Sequence, residues 1–325
     1  MLRRFPLGYW VLTAVLAGGA LANAGPAHAE AAHRIDVLVV YSGSAEDQMQ
    51  RIVQWGRSWG ETEMGPFLEA NFERVSQIYQ QSGVDVDLNV VHHQQIDLSY
   101  IDAQNWQSTL SYALMASEDL NANFIPYVDA IDAIRDVHVA DIVVYWRGFQ
   151  DGGPTSNGAG SVGGGEDEAY VHLTYGGITP SMAAHETGHL LGGQHSDGLQ
   201  GSATFSIDGD TATFREYRTV MTVAYPLDLP DYRYIWRFSA DGTSVSGDID
   251  CSQFTGPLST CGFASTSPLG DASHDAAAVV GAMVPVVAAF RSAPAVVPVA
   301  GPIVQGLLVL LMGGAGLAVL ARRRK

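Results

Sequence analysis

The sequence predicts an α/β fold, because strand-like apolar runs alternate with helical patterns along the first half of the 325 residues. His33–Tyr41 is an apolar, β-branched run, which predicts a buried strand. Apolar residues then recur at helical spacing from Met64 to Tyr79, and Gly83 ends that pattern. A strand followed by a helix in this way predicts a sheet with right-handed crossovers.

The alternation continues through the next 60 residues or so. Val84–Val91 alternates in polarity and predicts a second strand, Tyr127–Val137 has a helical pattern, and Ala140–Trp146 predicts another buried strand. The stretch Asp97–Asn123 has a weaker pattern, in which Leu110–Leu120 indicates a short helix. These elements extend the predicted sheet and cover it with helices.

A glycine-rich stretch and a further strand pattern follow. Gly148–Gly165 is predicted to be a flexible surface loop, and it lacks the lysine of a phosphate-binding loop. Glu168–Tyr175 alternates in polarity and predicts a strand at the edge of the sheet. We expect this strand to accept an extended peptide by β-addition, with an ordinary strand as the alternative.

Residues His185–His195 carry the pattern H-E-x-x-H-x-x-G-x-x-H. On a helix, His185 and His189 are four residues apart and project from one face, so both imidazoles can hold one metal ion. Glu186 lies beside the first ligand, where it can act on a water at the metal without being a ligand itself. H-E-x-x-H alone also occurs by chance in unrelated helices, but here five positions match.

The residues around this helix fit the same interpretation. Thr179 suits the N-cap and Pro180 the first helical position. Gly192 allows the chain to turn after the helix, which brings His195 back as the third ligand. Three imidazoles with an open fourth position predict a catalytic Zn²⁺ site. Five other histidines are not expected to be ligands: His92, His93, His138, His172 and His274.

Two more elements are predicted after the motif. Ala203–Phe214 has the pattern of a hairpin around Asp208-Gly209. Its aspartates are candidate Ca²⁺ ligands, although their spacing differs from that of an EF-hand. Ser273–Arg291 has a helical apolar stripe, in which Pro285 is expected to introduce a kink.

The two ends of the chain have the composition of targeting segments. Residues 1–29 have a basic start, an apolar stretch and an A-x-A site, which predicts a cleaved signal peptide, with an uncleaved anchor as the alternative. Residues 293–302 form a Pro- and Val-rich linker, and residues 303–325 combine a nineteen-residue apolar stretch with a terminal basic cluster. The body, residues 30–292, is therefore expected to be exported: extracellular, at the cell surface or periplasmic, held at the membrane by the tail unless the tail is cleaved.

The charge of the chain limits its possible partners, and its cysteine content predicts a disulfide. The formal net charge is −17, and Lys325 is the only lysine, which argues against nucleic acid or an anionic membrane surface as a partner. Cys251 and Cys261 are the only cysteines, and the Gly/Ser/Thr-rich stretch that contains them is predicted to be a loop. In an exported protein they are expected to form one local disulfide. The sequence gives no indication of oligomeric state.

From His33 to Arg291 the chain resembles the metzincin metallopeptidases, and among them the bacterial reprolysin-like (adamalysin-related) enzymes. The resemblance rests on the strand patterns I-D-V-L-V-V-Y and A-D-I-V-V-Y-W, the histidine motif, Y-R-T-V-M ending at Met221, and the closing helix. It implies a twisted mixed sheet with helices above a zinc cleft, and a small irregular lower part after Gly192. It also implies that Met221 packs beneath the zinc site. The C-terminal tail resembles bacterial sorting tails of the PEP-CTERM type, with a plain membrane anchor as the alternative.

Two positions depart from the reprolysin pattern. The residue after the third histidine is Ser196, as in matrixins, where reprolysins usually have Asp; Asp197 follows it. Val220–Pro226 is two residues longer than the usual stretch after the methionine, which displaces Tyr225. Tyr225 is therefore given no catalytic role, and the choice between reprolysin and matrixin affinity stays open.

The expected function is a secreted or surface-tethered zinc endopeptidase that acts on protein or peptide substrates. Glu186 would be the general base toward the water on the zinc ion. One alternative is a surface adhesion or binding module on the same scaffold with little or no proteolysis. Another is hydrolysis of a non-peptide ester or amide.

Overall fold

The computed structural model describes residues 31–54, 61–96, 125–148, 158–173, 179–222, 232–252 and 259–291. The predicted signal peptide, the short helix at Leu110–Leu120, Tyr225, the linker and the C-terminal tail lie outside these residues. Among the described helices, none has the length and apolarity needed to cross a bilayer.

The upper part is a five-stranded mixed sheet in the order β2-β1-β3-β5-β4. Its strands are β1 His33–Tyr41, β2 Val86–Gln95, β3 Ile142–Trp146, β4 Gly158–Gly160 and β5 Tyr170–Leu173. The first three and β5 run parallel, whereas β4 is antiparallel to β5. All five residues of β3 are buried, as expected for a parallel strand covered on both faces.

Within the described residues, five helices pack against this sheet or beside it. They are α1 Gly43–Gln54, α2 Met64–Gln81, α3 Ile125–His138, α4 Pro180–Leu190 and α5 Ala276–Val287. The larger apolar core joins one sheet face to residues of α1, α2, α4 and α5, while a smaller core joins the other face to α3. The strands predicted at His33–Tyr41, Val84–Val91 and Ala140–Trp146 are confirmed, as are the helices predicted at Met64–Tyr79, Tyr127–Val137 and Ser273–Arg291. Helix α1, which is mostly polar, has no clear sequence signal.

The glycine-rich stretch is a correction to the sequence analysis. Within Gly148–Gly165, residues Gly158–Gly160 form β4, the outer strand of the sheet. Tyr170–Leu173 lies between β3 and β4, so the prediction that Glu168–Tyr175 is an edge strand open to a peptide is wrong. Glycine has a low intrinsic preference for strands, which explains why the pattern suggested a loop.

The lower part is more regular than expected. Five strands form a closed barrel in the order β10-β6-β7-β8-β9. They are β6 Gln200–Ile207, β7 Asp210–Arg218, β8 Tyr232–Ile235, β9 Ser244–Ser252 and β10 Ser259–Pro268. The predicted hairpin is confirmed: Asp208 and Gly209, with φ of 48° and 75°, form the two-residue left-handed turn between β6 and β7.

The predicted disulfide is also confirmed, in a different setting. Cys251 and Cys261 are bonded to each other, but they lie on the neighbouring strands β9 and β10 and not in a loop. Both cysteines are fully buried in the barrel core beside aromatic side chains such as Phe205 and Tyr217. The disulfide therefore links two strands of a packed barrel.

Candidate metal centre

Helix α4 begins and ends as its sequence predicts. Thr179 has the extended backbone of an N-cap, Pro180 is the first helical residue, and the helix ends at Leu190. A buried tyrosine of α2 holds the middle of α4 in place. The Tyr79 hydroxyl lies 2.7 Å from Thr187 Oγ1 and donates to the carbonyl of Ala184 at 3.2 Å. Helix α4 is thereby held on α2 with one face turned to the cleft.

A glycine turn returns the chain to that face. Gly192 has a φ of 88°, in the left-handed region that glycine adopts without strain. Its N–H donates to the carbonyl of His189 at 2.8 Å, closing the end of the helix. A short 3-10 turn, His195–Asp197, follows, and its Gln194 cap and Asp197 bond to each other reciprocally. The third histidine is thus placed by backbone geometry.

The three predicted ligands converge on one point. His195 Nε2 lies 3.2 Å from His185 Nε2 and 3.0 Å from His189 Nε2. Three nitrogens at about 2.0–2.1 Å from a tetrahedral zinc ion are about 3.3 Å apart, so the observed spacing fits such a site. Within the described parts of the chain, these histidines are the only group of three side chains close enough to share a metal.

Backbone carbonyls orient two of the rings. The Nδ1 of His185 lies 2.5 Å from the carbonyl of Val220, and the Nδ1 of His189 lies 2.8 Å from the carbonyl of Gly193. With Nδ1–H donating to these oxygens, each Nε2 lone pair is free for a metal. The sequence offers no signal for these contacts, because any residue can supply a carbonyl.

Burial keeps the imidazoles neutral. Desolvation, followed by the neighbouring His189, lowers the pKa of His185 to about 3. Desolvation also lowers the pKa of His189 and of His195 below the ordinary value. Neutral imidazoles are the form that binds metal, so the three rings are ready to bind zinc at neutral pH.

Met221 lies under the histidine helix, as the resemblance implies. It is fully buried, and a Cβ added to Gly188 would lie 2.7 Å from its sulfur and 3.0 Å from a ring carbon of Phe238. A glycine between the two helical histidines therefore lets the thioether pack directly against the helix.

Glu186 faces a cleft of about 650 Å³. Its side chain is 5% exposed, and burial raises its pKa to about 8. A divalent cation held by the histidines would favour the carboxylate and oppose that shift. The cleft lining combines β4, the motif and the turn that follows it: Gly158, Ala159, Gly160, Val162, Glu186, His189, Gln194, His195 and Ser196.

Strand β4 contacts the motif through glycines. A Cβ added to Gly158 would lie 2.6 Å from Glu186 Oε1, and one added to Gly160 would lie 2.4 Å from the carbonyl oxygen of Glu186. Only residues without a side chain allow this approach. Sequence reasoning missed both glycines, although their alternation within the glycine-rich stretch was a usable signal.

The remaining histidines have other surroundings. His172 is buried on β5 and stacks on Tyr145, and desolvation, followed by Arg147, lowers its pKa to about 3. His92 stacks on His138 with ring centroids 3.7 Å apart, and His274 contacts Asp271 at 2.9 Å. Among the residues the structure describes, none of these belongs to a group of three candidate ligands. The Ca²⁺ site near Asp208 stays a prediction.

Comparisons with known proteins agree with this chemistry. Residues 68–196 match the sequence profile described as metallo-peptidase family M12B, reprolysin-like, and this segment contains all three histidines and Glu186. No curated protein matches the chain significantly.

Two solved structures are similar to parts of the chain. One, titled "Structure of a chaperone-substrate complex", is 15% identical with a TM-score of 0.49, over 80% of this chain and 36% of that chain. The other, metalloproteinase-II from Bacteroides fragilis, is 15% identical with a TM-score of 0.27, over 53% of this chain and 46% of that chain. In both cases the similarity spans less than half of the solved chain.

Proposed function

We propose that this chain is a zinc endopeptidase in which Glu186 is the general base, because residues 68–196 match the sequence profile of the reprolysin-like metallopeptidases. The observation that carries the proposal is the convergence of three Nε2 atoms beside a buried carboxylate. Three neutral imidazoles with an open side toward the cleft fit a catalytic zinc ion better than a closed structural one.

The proposed reaction assigns two proton transfers to Glu186. Zinc, when bound by the three histidines, would act as a Lewis acid that lowers the pKa of water and stabilises negative charge. Glu186 accepts a proton from the attacking water while the oxygen of that water bonds to the peptide carbonyl carbon. As the C–N bond breaks, Glu186 returns that proton to the leaving amine. The burial of Glu186 limits competing contacts with solvent.

We propose that the substrate lies along β4. Ladder contacts with β5 occupy one side of Gly158–Gly160, and no described strand pairs with the other side. An extended peptide could add there as a further strand, with its carbonyl brought toward Glu186 by the close approach of both glycines. This assignment replaces the docking strand expected at Glu168–Tyr175.

Replacing Gly160 by alanine should weaken catalysis without removing zinc. Its Cβ would overlap the carbonyl oxygen of Glu186, so β4 must move away from α4. We expect kcat/KM to fall about tenfold, because displacing a substrate-positioning element by about 1 Å can cost up to about 100-fold in rate. Gly281→Ala is the matched control, because a Cβ at Gly281 has nothing within 4 Å. Equal kcat/KM for both variants would exclude this docking strand.

The proposed function is tested by cleavage of casein and of a peptide library, using full-length protein of measured zinc content. We expect cleavage that a chelator abolishes and added Zn²⁺ restores. Intact substrates with zinc-loaded protein would favour the adhesion-module alternative. Turnover of ester or amide substrates without peptide cleavage would favour the non-peptide hydrolase.

The proposed location is outside the cytoplasm. It rests on the predicted signal peptide and tail, and the disulfide between Cys251 and Cys261 supports it, because disulfides persist in oxidising compartments. Protease digestion of intact and of lysed cells would test the location. Protection of the body in both intact cells and osmotically opened cells would contradict it.

A further inference from the structure

We propose that Arg291 and Arg135 are positioning residues. Both contact Glu166, in the loop that follows strand β4, and thereby hold β4 in place from the side of the sheet where α3 lies. The proposal rests on the proposed function, in which β4 docks the peptide. The segment concerned is Ser161–Ala169, the edge-strand loop, which joins β4 to β5. Its one large apolar side chain, Val162, is 54% exposed, so apolar packing contributes little to holding this loop.

Polar contacts fix the edge-strand loop instead. The N–H of Gly163 donates to the carbonyl of His189 at 3.0 Å, which ties the loop to the metal-binding helix. The hydroxyl of Ser161 donates to the carbonyl of Glu168 at 2.6 Å and closes the loop on itself. Neither contact attaches the loop to the rear of the sheet.

Arg135 makes that attachment through the backbone. It is a fully buried arginine near the end of α3, and its guanidinium donates to the carbonyl of Glu166 at 2.8 Å. The same group donates to the carbonyls of Ala140 and Asp141, the two residues just before β3. The planar guanidinium of Arg135 therefore attaches the edge-strand loop to α3 and to the residues just before β3.

Arg291 makes a second attachment through the side chain of Glu166. Its Nε lies 3.0 Å from Glu166 Oε1, as an ion pair that is not aligned as a hydrogen bond. Its Nη1 donates to Asp136 Oδ1 at 2.7 Å, and its backbone N–H donates to Asp141 Oδ1 at 3.1 Å. Arg291, the last residue that the structure describes, therefore also attaches the edge-strand loop to α3.

The test is Arg291→Gln, read first by hydrogen exchange. We expect the amides of residues 158–165 to exchange about threefold faster than in the wild type, as for loss of a partly exposed ion pair. With a peptide long enough to run along β4, we expect KM to rise about threefold, with kcat and zinc content unchanged. Arg34→Gln is the matched control, because Arg34 forms an ion pair with Asp36 at 2.7 Å, at the start of β1.

A double-mutant cycle identifies the route. At the amides of residues 158–165, Glu166→Gln should reproduce the exchange effect of Arg291→Gln, and the double variant should add nothing further, because both changes remove the ion pair between Arg291 and Glu166. Arg291→Gln also removes the ion pair with Asp136, but that contact lies on α3 and not on the loop. A lowered melting temperature with unchanged exchange at 158–165 would overturn the proposal and leave a general stabilising role. The exchange readout does not depend on proteolysis, so it decides the proposal even if the protein cleaves no peptide. Absence of peptide cleavage would contradict the proposed function, whereas unchanged hydrogen exchange would contradict the positioning role of the two arginines.

Discussion

Replacing Glu186 by glutamine is expected to abolish measurable proteolysis while zinc stays bound. The amide has nearly the same shape as the carboxylate but cannot accept a proton from water at neutral pH, and general-base catalysis is worth about 10²–10⁴ in rate. We expect kcat to fall about a thousandfold or more, with little change in KM. The ligands should be unaffected, because His185 and His189 are oriented by the carbonyls of Val220 and Gly193.

The measurement is kcat and KM on one peptide, alongside zinc content, for Glu186→Gln and a control. Glu69→Gln makes the same chemical change on an exposed position of α2 and should leave every value at the wild-type level. If Glu186→Gln kept more than about a tenth of wild-type kcat, another group would have to be the base. Loss of zinc in that variant would instead place Glu186 among the ligands.

The candidate metal centre could be predicted because two of its side chains follow helical spacing. His185 and His189 share a helix face by their four-residue separation, and the backbone turn at Gly192 follows from a glycine at that position. The distances between the Nε2 atoms confirm that the three side chains are neighbours, and the φ of Gly192 confirms the turn. The orienting groups were not predictable, because backbone carbonyls such as that of Val220 have no sequence signature.

Strand β4 shows why part of the fold escaped prediction. Gly158 and Gly160 belong to a strand because they fit against Glu186 and pair with β5, not because glycine favours strands. Their role depends on tertiary contacts with residues more than ten positions away in the sequence. Val143, by contrast, lies in an apolar run that predicts a buried strand without any knowledge of its neighbours.

The lower barrel escaped prediction for a similar reason. Only the β6–β7 hairpin has a strong local signal, at Asp208-Gly209. Strands β9 and β10 are rich in small polar residues, and they are placed by pairing with each other and by the disulfide between Cys251 and Cys261. A disulfide predicted in a loop was therefore the right bond in the wrong local structure.

Removing one ligand should have a different result from removing the base. His189→Ala leaves two imidazoles, and a site with two protein ligands holds zinc far more weakly than one with three. We expect the purified variant to contain less than about a tenth of the wild-type zinc and to show no proteolysis. His274→Ala is the control, because His274 contacts Asp271 on the surface and has no place in the metal centre.

Stability measurements separate metal loss from misfolding in His189→Ala. The helix itself should persist, because Tyr79 still bonds to Thr187 and Met221 still packs on Gly188. The melting temperature of the variant should therefore match that of chelator-treated wild type, and added Zn²⁺ should raise only the wild-type value, since a ligand stabilises the state that binds it. Full zinc content in His189→Ala would show that the three rings do not share one ion, and the peptidase assignment would lose its basis.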